Sequence, residues 1–219
     1  MFQLIAFMLL ALALGFKHSY DPDHLIAVSN ILHKVKSVKS GMKVGLSWAI
    51  GHMITATAIT IILYLFKETI LDEVLPHLEK LVGIILIILG ISSFRDFFTF
   101  HSHGHAHDEI VHSHSHFHKK HKENHFHKHM FGIGIIHGLA SNGELLVLFA
   151  ASLAVTSLGV LLLVLGIFSI GVVLGMILFT FIFSYPLLKL HSGLIYKAVK
   201  FIAGTTGIVY GTLMTFSLL

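Results

Sequence analysis

Cysteine is absent from the 219-residue chain. No disulfide framework can form, and no thiolate can hold a metal, which argues against copper(I) and other soft ions. Charge is scarce, with only 12% of residues Asp, Glu, Lys or Arg. Proline occurs three times and tryptophan once. The Gly-x4-Gly-Lys-Ser/Thr phosphate loop is missing, so ATP hydrolysis by that route is excluded. So is the His-Glu-x2-His pair of a zinc protease, and the chain is read as no enzyme.

What is present is mostly apolar. Hydrophobic residues make up 55% of the chain, and the mean hydropathy is +0.84. That composition belongs to a polytopic protein of the lipid bilayer. Apolar stretches cover residues 2–32 (interrupted), 44–66, 80–99, 131–155, 157–183 and 195–218. Each meets the requirement of about 20 residues for a crossing. Backbone groups in lipid must be satisfied internally, so an all-α bundle of six transmembrane helices is expected. The first stretch lacks a basic leader and runs straight into His18 and Asp23, so it reads as a retained helix rather than a signal peptide. The pI near 9.3 reflects lysines in short loops. It bears on topology and implies no nucleic-acid partner.

Those lysines orient the chain. Lys34, Lys36, Lys39 and Lys43 follow the first span without an acid, and Lys189, Lys197 and Lys200 precede the last span likewise. Basic loops stay cytoplasmic. A multi-pass protein of the cytoplasmic membrane follows, with both termini outside and the third loop inside.

The halves resemble each other. Gly15, His18 and Asp23 match Gly134, His137 and Asn142 at an offset of 119 residues, and Gly83 and Gly90 match Gly204 and Gly211 at 121. Three spans per half make the repeats antiparallel across the membrane, a 3+3 inverted repeat of the kind used by secondary transporters. The expected organisation is a first three-helix repeat over 1–100, a histidine-rich cytoplasmic loop over 101–129 and a second repeat over 130–219.

The interruption of the first span carries the chemistry. Residues 18–24 read His-Ser-Tyr-Asp-Pro-Asp-His. Ionisable groups at membrane depth cost roughly 2.5–3.5 kcal/mol each, and by default they mark an ion or proton path. On a continuous helix, residues five and six apart are separated by roughly 140° and 240° about the axis. His18 could not then share a ligand face with Asp23 or His24. Pro22 has no N–H, and its ring clashes with the carbonyl at i−4, which is that of His18. The helix is therefore expected to unwind between His18 and Asp23, freeing that carbonyl and letting the donors converge. Imidazole with carboxylate suits nickel, cobalt, zinc or iron(II).

This segment resembles the His-x4-Asp-His signature of the nickel/cobalt transporter superfamily. Its Asp-Pro-Asp-His form looks like the six-helix branch related to urease-accessory nickel permeases. The resemblance implies transport of Ni²⁺ or Co²⁺, with Zn²⁺ a further candidate ion and no resident cofactor. It implies metal-site roles for His18, Asp23 and His24, and for His52 in Gly51-His52. Export members tend to carry Pro-Gly-His here. The Asp23 carboxylate keeps the uptake form, so uptake is favoured over efflux.

His137, Ser141 and Glu144 lie four and seven residues apart on one side of the fourth span. His137 and Glu144 complete the candidate ligand set, although the family's aspartate four residues before that Glu is Ala140 in this chain. Gly159, Gly166, Gly171 and Gly175 are expected to allow close helix approach. Twelve histidines fall between His101 and His129, mostly as His-x-His. With no core to bury, that loop is expected to be disordered and to act as a metal buffer or sensor. Two other classes remain open: a haem-binding membrane protein using these histidines as axial ligands, and a membrane-anchored metal sensor.

Overall fold

The computed structural model describes residues 2–66, 71–98, 102–107, 110–115, 124–140, 158–189 and 193–217. These hold seven helices: α1 (Phe2–His18), α2 (Pro22–Leu32), α3 (Val38–Phe66), α4 (Leu71–Phe98), α5 (Asn124–Ala140), α6 (Leu158–Lys189) and α7 (Gly193–Thr215). The chain is helical, as its composition requires. Val38–Ile62 and Leu158–Lys189 are each long and apolar enough to cross a membrane, and Ile5–His18 and His129–Leu139 are shorter apolar helices.

Apolar residues face outward in a helical stripe. On α6, Ile170, Leu174, Leu178 and Ile182 recur every four residues and are 41–57% exposed. Polar residues take the inside, among them His18, His24, His52, Asn30 and Thr180. A water-soluble bundle sorts its residues the other way. Lipid does not penalise an apolar exterior, and it leaves interhelical packing and hydrogen bonds to hold the helices together.

α1 packs along α6, α3 along both α5 and α6, and α4 along α7. The main core lies where α1, α3, α5 and α6 meet, around Trp48, Phe168, Met130, Val172 and Met176. A smaller cluster joins Ala27 of α2 to Val82 and Leu86 of α4. The contacts are close because glycine sits in them. A Cβ on Gly134 would strike the carbonyl oxygen of Trp48, and one on Gly15 that of Phe168. Gly171 sits against the Leu12 carbonyl of α1 in the same way and Gly175 against the Ser19 side chain just past its end, whereas Gly166 faces open space.

Three features depart from the sequence-based expectation. The segment read as a disordered loop contains two antiparallel strands, β1 (Ser102–His107) and β2 (Ile110–Ser115), because alternating His-x-His sequence is also compatible with an extended ribbon. α5 begins at Asn124, inside that segment. Lys200, counted with the basic loop before the last span, lies within α7 and is fully buried.

Candidate metal site

The break in the first span falls where Pro22 demands it. α1 stops at His18, Ser19 and Tyr20 form a turn, and Pro22 opens α2 in its first position, where a missing N–H costs nothing. Asp21 precedes it in an extended conformation, φ −61° and ψ 142°. The His18 carbonyl, relieved of its helical partner, accepts from the Asp21 N–H at 3.1 Å. It also accepts from Nδ1 of His24 at 2.9 Å. The proline thus creates the acceptor that holds the His24 ring.

Each of the surrounding rings is positioned by its own bond. Nδ1 of His18 lies 2.9 Å from Oδ2 of Asp21. Nδ1 of His137 donates to the Ile133 carbonyl at 3.1 Å. When Nδ1 carries the donated proton, Nε2 is the unprotonated nitrogen and offers its lone pair as an acceptor or ligand. His18, His24 and His137 are all held in this way. His52, on α3, brings its Nε2 to 3.2 Å from Nε2 of His18.

Three imidazoles therefore converge. His18, His24 and His52 each offer a nitrogen, and these nitrogens lie within 4.8 Å of one another. All three residues are at most 1% exposed. Oδ2 of Asp23 stands 3.5 Å from Nε2 of His24. With that nitrogen unprotonated, two acceptors face each other in a dry interior, an arrangement that a cation stabilises. His137 lies beyond His24, with ring centroids 6.2 Å apart. Its Nε2 is buried and has no hydrogen-bond partner among the described residues. Nδ1 of His52 is in the same position. Glu144 lies outside the described residues, as do Ser141 and Asn142.

Two contributors were not singled out from the sequence. Asp21 completes a carboxylate–imidazole pair that fixes a ring's tautomer and orientation. Its spacing of three from His18 hinted at this, but only across a turn. Trp48 stacks on His52 at 4.8 Å between centroids and 18° between planes, and meets His24 at a tilt of 58° and 4.7 Å. The signal was present in the four-residue spacing of Trp48 and His52, which shares one helix face. An apolar ring at such a position otherwise reads as core packing.

An apolar exterior around buried imidazoles is the arrangement of an integral membrane protein. The chain belongs to the family described as the cytochrome c biogenesis protein transmembrane region, which matches residues 25–213. That match begins just after His24, so the donor segment lies outside it. The chain is also 34% identical to the urease accessory protein UreH of Bacillus sp. (strain TB-90), over 95% of this chain and 91% of that protein. The resemblance read from His18 to His24 pointed to this urease-accessory branch. An accessory protein serves the enzyme without being it, consistent with a non-enzymatic chain. No solved structure matches the chain.

Proposed function

We propose that this protein is a secondary transporter that carries Ni²⁺ or Co²⁺ across the cytoplasmic membrane, in the direction of uptake. His18, His24 and His52 bind the ion, with Asp23 and His137 beside them and Glu144 added on sequence grounds. The observation that carries the reading is the convergence of three buried ring nitrogens within 4.8 Å. A hydrated divalent ion sheds water on reaching this interior, and neutral imidazoles with one carboxylate replace those ligands. Zn²⁺ meets the same donors. The similarity to a urease accessory protein favours nickel.

The transport path is proposed to run through six spans in a 3+3 inverted repeat. The histidine-rich loop is placed on the cytoplasmic side and both termini outside. Glycine contacts support the repeat, because they recur in related pairs. Gly15 meets Phe168 and Gly134 meets Trp48, while Gly171 meets Leu12 and Gly51 meets Phe131. Gly83 meets Gly211, and Gly90 meets Gly204. Adding or subtracting about 120 residues turns each contact into its mate. Rocking one half against the other along such smooth seams would expose the site to each side in turn.

Direction follows from energetics as well as from Asp23. An inside-negative potential favours entry of a divalent cation by about 4.6 kcal/mol per 100 mV, enough to drive uptake without a second ion. Efflux must work against that term. A haem reading fits poorly, since 3.2 Å between the ring nitrogens of His18 and His52 leaves no space for a macrocycle.

Radiolabelled nickel flux into proteoliposomes tests the assignment. Wild-type flux should rise with an inside-negative diffusion potential, and Asp23→Asn and His24→Ala should each abolish most of it. Unchanged flux in both variants would falsify the assigned site. Deleting residues 101–129 should leave flux intact, whereas a sensor would lose its function.

A further inference from the structure

α2 is a short helix between two breaks. It runs only from Pro22 to Leu32, and a helix of that length is marginal unless its neighbours hold it. Residues four and seven apart share one side of a helix, so two stripes can be read along it. His24, Val28 and Ile31 form one, and Val28 and Ile31 lie in the main core. Asp23, Ala27 and Asn30 form the other, and Ala27 packs on Val82 and Leu86 of α4. Where α2 stands decides where Asp23 and His24 stand against His18 of α1 and His52 of α3.

The second stripe ends in a polar pin. Asn30 is 1% exposed, and Ser93 is fully buried. Nδ2 of Asn30 donates to the Ala203 carbonyl of α7 at 3.1 Å and to the Ile26 carbonyl of its own helix at 2.8 Å. Its Oδ1 accepts from the hydroxyl of Ser93 on α4. Both amide protons and the amide oxygen are thus engaged, and one side chain joins three helices. Glycine makes room for it: a Cβ on Gly207 would lie 3.2 Å from Nδ2 of Asn30 and 3.1 Å from Cα of Gly90. Small residues such as Ala27 and these glycines present smooth surfaces, which do not fix a register. A buried amide does, because sliding by one turn would strand its donors and its acceptor without partners.

We infer that Asn30 is a positioning residue for the ion site: through Ser93 and the Ala203 carbonyl it fixes α2 to α4 and α7, and so sets Asp23 and His24 against His18 and His52. The inference rests on the reading of that cluster as the site of the transported ion. α4 and α7 add no nitrogen to the three converging imidazoles, yet through this amide they govern the affinity of the site. Donors displaced by about 1 Å bind poorly even when all of them are present.

Uptake of radiolabelled Ni²⁺ into proteoliposomes, followed over a range of concentrations, separates KM from the maximal rate. Asn30→Leu keeps the bulk of the side chain and removes its donors and its acceptor. It should raise KM about tenfold and change the maximal rate by less than about threefold. Ser93→Ala should raise KM about threefold, and the double variant should be no worse than Asn30→Leu alone, because Ser93 acts through the amide. Leu161→Ala, a large-to-small change at a buried position of α6, is the packing control. It should lower the thermal midpoint yet leave KM within about twofold. Three results overturn the inference: an unchanged KM in Asn30→Leu, an equal rise in Leu161→Ala, or single effects that multiply in the double variant. Should Asn30→Leu not fold, Ser93→Ala decides alone, and an unchanged KM there overturns the inference. His24→Ala in the same assay separates the two levels. If it transports like the wild type, the assigned ion site itself fails. If it loses flux while Asn30→Leu keeps the wild-type KM, only the pin fails.

Discussion

Along one seam, Gly15 of α1 rests on the Phe168 carbonyl of α6, and His18 three residues on meets the Phe168 ring at 5.5 Å. Along another, Gly134 of α5 rests on the Trp48 carbonyl of α3, and His137 three residues on meets the Trp48 ring at 5.9 Å. The packing is the same, but the donors are not. Four residues after Trp48 comes His52, whereas four after Phe168 comes Val172. His18 is fixed by a carboxylate, and His137 by a main-chain carbonyl. Close helix approach has been kept in both seams, while the imidazole cluster draws on α1, α2 and α3 alone. Among the described residues, the two like seams therefore bring together one imidazole cluster rather than two.

The largest expected effect comes from breaking the first seam's chemistry. His24→Ala removes the ring that joins the His18 carbonyl to the cluster, and metal affinity should fall by about a hundredfold or more. Equilibrium dialysis against Ni²⁺ on purified protein reads this. An equal loss in His137→Ala would mean that the donors are shared evenly between the seams. Next in size is a pair of packing variants. Gly15→Ala and Gly134→Ala each push a methyl group into a backbone carbonyl, at a cost of about 1–3 kcal/mol. Thermal unfolding midpoints should drop alike in the two, and a drop in only one would show that the seams are not equivalent.

Asp21→Asn should weaken metal binding by about tenfold, because the amide no longer selects the tautomer of His18 in which Nε2 is unprotonated. Nitrogen-15 shifts of the imidazoles would report the change in tautomer, which a merely structural role for Asp21 would not move. The smallest effect is expected from Val172→His. It copies His52 into the second seam, yet nothing equivalent to His24 is there, since Gly143 stands at the matching position. The number of ions bound by the buried site should stay at one per chain, and a second bound equivalent would break the comparison.

Much of this arrangement was legible in the chain itself. Pro22 announced the break, because a proline so close to His18 must release that carbonyl. Long apolar runs announced the helices. The sign of each helix face was harder to read, since lipid-facing and core-facing positions are both apolar and periodicity separates them poorly. Lys200 was misread for a related reason: a cation near a span end suggests a loop, whereas the last helix already begins at Gly193 and buries it. Asp21 and Trp48 escaped notice because their roles depend on neighbours brought in by the turn and by the α3–α5 contact. The pairing of β1 with β2 lay beyond composition, which cannot separate an extended ribbon from a disordered chain.

The stacking of Trp48 on His52 has a practical consequence. It is the only tryptophan in the chain, so the protein's ultraviolet emission arises from an indole lying against the cluster. Ni²⁺ and Co²⁺ have unpaired d electrons and should quench that emission on binding, whereas closed-shell Zn²⁺ should shift it without extinguishing it. The wild-type chain thus carries its own optical gauge of occupancy and of which ion is bound.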